Sequence, residues 1–253
     1  MDRFSNRFLW VLKNSPNLFQ GYNLYVNRDK FRLIDKAFNS IGANASSFAD
    51  LGGVWKVNAG YTRYTLNNYQ IDKALIVDTD YPEVVKHKLS KYAQLSILQG
   101  DFTSLEQVEN VGEVDLIYLF DVLLHQANPN WDDVLTSYAN NTKCFVIFNQ
   151  QFIQGNESIR LTDLSLDEYI KLAPQGREEV LREIFANKSK IHPKFGKPWI
   201  DIHNIFQWGI TDTSLREFMN NLGFSEEYYQ NYGKFSNSSY FENHGFIFKK
   251  SIN

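Results

Sequence analysis

The chain of 253 residues has a single cysteine, Cys144, so it forms no internal disulfide and nothing in its cysteine usage calls for an oxidising compartment. It has no run of about 18 uninterrupted apolar residues, the length that a membrane-spanning helix needs. At the N-terminus Phe4, Phe8, Leu9, Trp10, Val11 and Leu12 are interrupted by Arg3, Asn6 and Arg7, and no small-residue cleavage site follows. That stretch reads as neither a signal peptide nor a span. A basic excess is missing too: 26 basic and 29 acidic side chains leave a net charge of −3, so the chain as a whole has no field that gathers phosphates. The expectation is a soluble, cytoplasmic protein with neither nucleic acid nor membrane as partner. There is no internal repeat, no low-complexity tract and no Gly-x-Gly-x-x-Gly, the last of which counts against a nicotinamide oxidoreductase.

What is present is a succession of short apolar runs separated by helical patterns. Ser47–Leu51, Ala74-Leu-Ile-Val77, Leu95-Ser-Ile-Leu98, Val114-Asp-Leu-Ile-Tyr-Leu119 and Cys144-Phe-Val-Ile-Phe148 read as strands. Between them lie helices beginning at Gly60 and after Pro82, the latter with Val84, Val85, Leu89 and Tyr92 facing inward. Strands alternating with helices at this spacing predict an α/β fold with a doubly wound, mostly parallel sheet, whose ligands sit at the carboxyl ends of the strands. Residues 4–14 and 29–41 are expected to be helical, forming a cap over residues 1–46. Phe224 to about Gln230 and Gly245–Phe248 add two strands joined without a helix, with Asn231 to Ser239 between them rich in turn residues, which predicts an antiparallel hairpin. Seven strands result, in one domain spanning 1–253.

Residues 152–209 break the rhythm. No strand is evident there, and two helices are expected: one opened by the capping box Ser165 to Glu168, the other carrying Val180, Leu181, Ile184 and Phe185. The segment reads as a lid or substrate-recognition insertion, or alternatively as a packing or homodimer surface.

Polar clusters fall at each strand end. The first is Asp50-Leu-Gly-Gly53, followed by Val54-Trp-Lys-Val-Asn-Ala and Gly60; glycines there let backbone N–H groups approach a ligand. Asp78 ends the second strand with Asp80 as an alternative, Gly100-Asp101-Phe102 follows the third, and Asp121-Val-Leu-Leu-His125 follows the fourth. In this order the clusters resemble those of the class I S-adenosylmethionine-dependent methyltransferases, from about Ser47 to Lys250 without the insertion. The resemblance implies a Rossmann-like methyltransferase fold with S-adenosyl-L-methionine as cofactor, held by Asp50, Gly52, Gly53, Asp78, Asp101, Phe102 and Asp121. Asp78 would take the ribose hydroxyls and Asp101 the adenine amino group. The family's later glycines are replaced by Val54 and Lys56, and Trp55 either shapes the pocket around the sulfonium by a cation–π contact or packs on the following helix.

The acceptor is expected to be a small hydroxylated molecule, a sugar or related metabolite, methylated on oxygen. Histidine suits removal of a hydroxyl proton. His125 is one candidate base, with hydrogen bonding inside its own loop as the alternative. His203, in the aromatic stretch Trp199 to Trp208 and two residues from Asp201, is the other. Asp121 and Asn149 alone make a poor Mg²⁺ site, so no metal is expected. Asn128-Pro-Asn-Trp131 reads as a turn. A non-catalytic binding or scaffold protein on the same fold is the alternative function.

Overall fold

The structure, a computed structural model, describes residues 27–42, 45–173, 178–203, 205–235 and 238–251. The helix expected over 4–14 lies outside these residues, as do Pro174, Gly176 and Arg177. Seven strands form one sheet in the order β3 (Leu95–Gln99), β2 (Lys73–Asp78), β1 (Ser47–Leu51), β4 (Val114–Phe120), β5 (Thr142–Phe152), β9 (Phe241–Lys250), β8 (Phe224–Lys234). The chain divides into two compact units, Met1–Tyr118 with Asn141–Val146, and Leu119–Asn140 with Ile147–Asn253.

In the first unit, α1 (Arg28–Ile41) starts where Asn27 caps the Asp29 N–H and stops at Gly42, whose φ of 96° suits glycine. Its apolar face, Phe31, Leu33, Ile34, Ala37 and Phe38, is buried. Phe31 packs on Tyr61 and Tyr64 of α2 (Gly60–Asn68), and Phe38 stacks on Tyr69. β1 (Ser47–Leu51) pairs in parallel with β2 (Lys73–Asp78), and β2 with β3 (Leu95–Gln99). α3 (Glu83–Leu89) buries Val85 and Leu89 against Val54, Ala59, Ile76 and Tyr81. Val84, expected inward, is 56% exposed, because Val85 and Leu89 at i and i+4 define the inner face and Val84 lies about 100° from it. Tyr92, also expected inward, is half-buried. α4 (Leu105–Val111) is capped by Ser104, and β4 (Val114–Phe120) is buried throughout.

Asp115 fastens β4 to β1. Its Oδ2 accepts from the Ser46 N–H, the Ser47 N–H and the Ser47 hydroxyl, and Lys143 lies 2.7 Å from Oδ1. Burial opposes its ionisation, yet Lys143 and these donors hold its carboxyl below the ordinary range. Asp115→Ala strands three donors and should lower unfolding free energy by about 2 to 4 kcal/mol, measured by urea denaturation.

The second unit holds α5 (Trp131–Tyr138), the end of β5 (Thr142–Phe152), the insertion, α8 (Asp212–Asn221), β8 (Phe224–Lys234) and β9 (Phe241–Lys250). β5 does not end before Asn149 as expected. It continues through Asn149, Gln150 and Gln151, all buried, because pairing persists: the Phe152 N–H reaches Ile210 O and the Ile153 N–H reaches Tyr240 O. The hairpin β8–β9 is antiparallel as expected, but β8 runs on to Lys234 with irregular register near Asn231, so the turn is shorter than its composition suggested.

Both expected helices of the insertion are present, α6 (Leu166–Leu172) with the Ser165/Glu168 capping box and α7 (Glu178–Ala186) burying Leu181 and Ile184. Val180 faces solvent instead. The insertion also carries strands: β6 (Ile159–Arg160) pairs with β7 (Trp208–Gly209), a ladder too short to leave a periodic signature. Gln207 closes it. This buried side chain donates to Ile200 O and Ile202 O and accepts from Thr162, while its backbone joins Leu124 O and the Leu161 N–H.

Candidate functional site

The carboxyl ends of β1, β2 and β3 are stitched together, since the Gly52 N–H donates to Val77 O and the Gly100 N–H to Asp78 O. Asp50, Asp78 and Asp101 stand at these ends, and each is already engaged. Asp50 is 1% exposed and accepts from the Thr62 hydroxyl at 2.6 Å. Burial raises its pKa to about 6, the Thr62 bond opposing and the Asp78 charge adding to the rise. Gly53 is required by the protein itself: a Cβ there would meet the Asp50 carboxylate at 2.5 Å.

Asp78 holds the turn after β1. Its Oδ2 accepts from the Val54 and Trp55 N–H groups at 2.8 and 3.1 Å, and its Oδ1 from the Thr79 N–H at 2.7 Å. The turn is wound tightly to reach it, with Lys56, Asn58 and Ala59 all at positive φ. Val54 enters the core and the next side chain therefore points out. Trp55 is 60% exposed with the Lys56 ammonium 4.2 Å from its ring centroid, so it does not pack on α2. Asp80 is exposed. Asp101 accepts from the Thr103 N–H and hydroxyl ahead of α4, and Phe102 is buried.

What these carboxylates can still offer a ligand is limited by their lone pairs. A carboxylate offers about four acceptor positions. Three at Asp78 are taken by backbone donors, and the Thr79 hydroxyl lies 3.5 Å from Oδ1.

In the second unit, Asp121 has φ of 57°, accepts from Gln150 Nε2 at 2.7 Å, and Gln150 also reaches Asn243. His125 closes a short helical turn, with Nδ1 2.7 Å from Ile205 O and its ring edge-on to Phe206. A carbonyl only accepts, so Nδ1 carries the proton and Nε2 is the basic nitrogen of the neutral ring. His203 is placed differently. It is exposed, 3.4 Å from Lys197, and Asp201, expected to orient it, is paired with Arg160 at 3.1 Å. Of Asn128-Pro-Asn-Trp131, expected as a turn, Asn128 and Pro129 form a bend while Asn130 caps α5 and Trp131 opens it; Asn128, Pro129 and Asn130 join Asp133, Arg160 and Asp201 in lining a polar pocket of about 270 Å³. Among the described residues no group of three or more His, Cys, Asp or Glu side chains is placed to hold a metal ion.

Several of these participants carry no sequence signature. Thr62 is one hydroxyl within a helix, the Val54 and Trp55 donors are backbone, and Arg160 sits in a two-residue strand.

No family model matches the sequence, and no curated protein matches it. Solved structures do. A 1,6-didemethyltoxoflavin-N1-methyltransferase from Burkholderia thailandensis, crystallised with 1,6-didemethyltoxoflavin and S-adenosylhomocysteine, is 11% identical with a TM-score of 0.57 over 98% of this chain and 88% of its own. The N-terminal domain of EvdMO1 with S-adenosylhomocysteine is 12% identical, TM-score 0.57, covering 99% and 98%. A putative RNA methyltransferase from Pyrococcus horikoshii is 12% identical, TM-score 0.55, covering 100% and 98%. With its strand order and C-terminal antiparallel hairpin, the chain has the fold of the class I S-adenosylmethionine-dependent methyltransferases.

Proposed function

We propose that the protein is an S-adenosylmethionine-dependent methyltransferase acting on the oxygen of a small hydroxylated molecule. The observation that carries this reading is the row of Asp50, Asp78 and Asp101 at three adjacent parallel strand ends, with glycine backbone beside them. Asp78 and Asp101 would hold the nucleoside, and Gly52 and Gly53 would give the amino-acid portion close access to backbone. When bound, S-adenosylmethionine supplies a methyl group on a cationic sulfur. His125 Nε2 would take the proton of the acceptor hydroxyl as that oxygen is methylated. The Ile205 carbonyl fixes the required tautomer. The polar pocket of Asn128, Asp133, Arg160 and Asp201 suits hydroxyl groups, which can both donate to its carboxylates and accept from its guanidinium. Residues 152–209 would act as the recognition element over the acceptor.

His203 is exposed and its neighbour Asp201 is paired with Arg160, so His125 is the base carried forward. His125→Ala should lower kcat at least about 100-fold toward an accepted substrate, with S-adenosylhomocysteine affinity unchanged by calorimetry. Full activity in that variant removes His125 from the mechanism. The second reading, a non-catalytic binding protein, is favoured by the engagement of Asp78 with its own turn. Tight S-adenosylhomocysteine binding without methylation of any acceptor, followed by mass spectrometry, would select it. Absence of binding would exclude both.

A further inference from the structure

The net charge of −3 conceals a local reversal. From Ile184 to Ile200 there is no acidic residue, while Lys188, Lys190, Lys194 and Lys197 all fall in this interval. The segment folds as a tongue: the His192 N–H donates to Lys197 O, the Trp199 N–H to Lys190 O, and Ile191 bridges Pro198. Gly196, at φ of 63°, makes the tip. At its root Asp201 is paired with Arg160 at 3.1 Å. Glu183 stands on the preceding helix α7 and is exposed.

Aromatic rings are piled between these charges. His192 lies 4.7 Å from Phe195 and 4.2 Å from Trp199, centroid to centroid. Phe195 is 50% exposed, and the Lys194 ammonium is 5.3 Å from its centroid. An exposed ring beside a row of cations on an ordered hairpin matches two demands of a single nucleic-acid strand: a face on which a base stacks, and charges that replace the counterions of successive phosphates. Ile191 and Phe195 are the exposed large apolar residues of the tongue, too small an area for firm hold on a lipid surface.

We propose that the Lys188–Trp199 tongue is a docking surface for single-stranded nucleic acid, independent of the methyl-transfer reading. The test uses the full chain and a fluorescein-labelled oligouridylate about 12 nucleotides long, within the site sizes of single-strand binders, read by anisotropy. Saturable binding is expected, with log K falling against log salt at a slope of about −2 to −3, as three or four phosphate contacts require. Lys188→Gln/Lys190→Gln/Lys194→Gln should weaken it at least tenfold and flatten the slope, and Phe195→Ala should weaken it about 5- to 100-fold. These positions are on the surface, and circular dichroism verifies that each variant is folded. No saturable binding, or equal binding by the triple variant, overturns the proposal. So does co-sedimentation with phosphatidylserine vesicles that the triple variant loses while the oligouridylate fails to bind.

Discussion

Asp78→Ala should lose about 2 to 4 kcal/mol of unfolding free energy with no ligand present, in addition to losing affinity for S-adenosylhomocysteine. A residue reserved for a ribose would show only the second effect. Here the carboxylate accepts from Val54, Trp55 and Thr79, so its removal leaves three backbone donors without their acceptor. Urea denaturation of the free protein and calorimetry of the ligand separate the two roles. A companion measurement is hydrogen exchange at the Val54 and Trp55 amides. If the nucleoside displaces them from Asp78, both should exchange faster when S-adenosylhomocysteine is bound, against the usual trend of ligand protection. Unchanged stability in Asp78→Ala would mean that the turn is held by Val54 packing alone.

The framework of strands and helices was readable because its signals are local and repeated. Ser47–Leu51 and Gly60–Asn68 lie where the apolar run and the glycine placed them. The acids were readable as positions, each at the end of an apolar run, but not as partners. Asp50 meets Thr62 and Asp78 meets three backbone amides, and no residue-type pattern encodes a contact with a peptide N–H. His203 shows the converse: its neighbour Asp201 is close in sequence, yet the β6–β7 pairing brings Arg160 to that carboxylate first. Averaging charge over the whole chain likewise hid the lysines of the insertion.

Asp50 makes the second large effect a matter of pH. The unfolded chain gives up this proton near 3.8 and the folded chain at about 6, so the native state holds it in between. Its contribution to stability is whole below about pH 4 and is lost as pH rises through about 6, a swing of up to about 3 kcal/mol. Asp50→Asn keeps an oxygen for Thr62 and removes the titration. Relative to wild type, the variant should therefore gain stability as the pH of urea denaturation moves from about 4 to 7.5. A difference that stays constant over this interval would show that the buried carboxyl ionises as in water.

Gln207 ties one amide to Ile200, Ile202 and Thr162, and its backbone to Leu124 and Leu161. The insertion is thus closed at its base like a bag at its drawstring. Loops distal to that knot can lengthen, shorten or change composition without asking the strands to repack. Evolution could exchange what this segment recognises while leaving the folding instructions of the sheet intact.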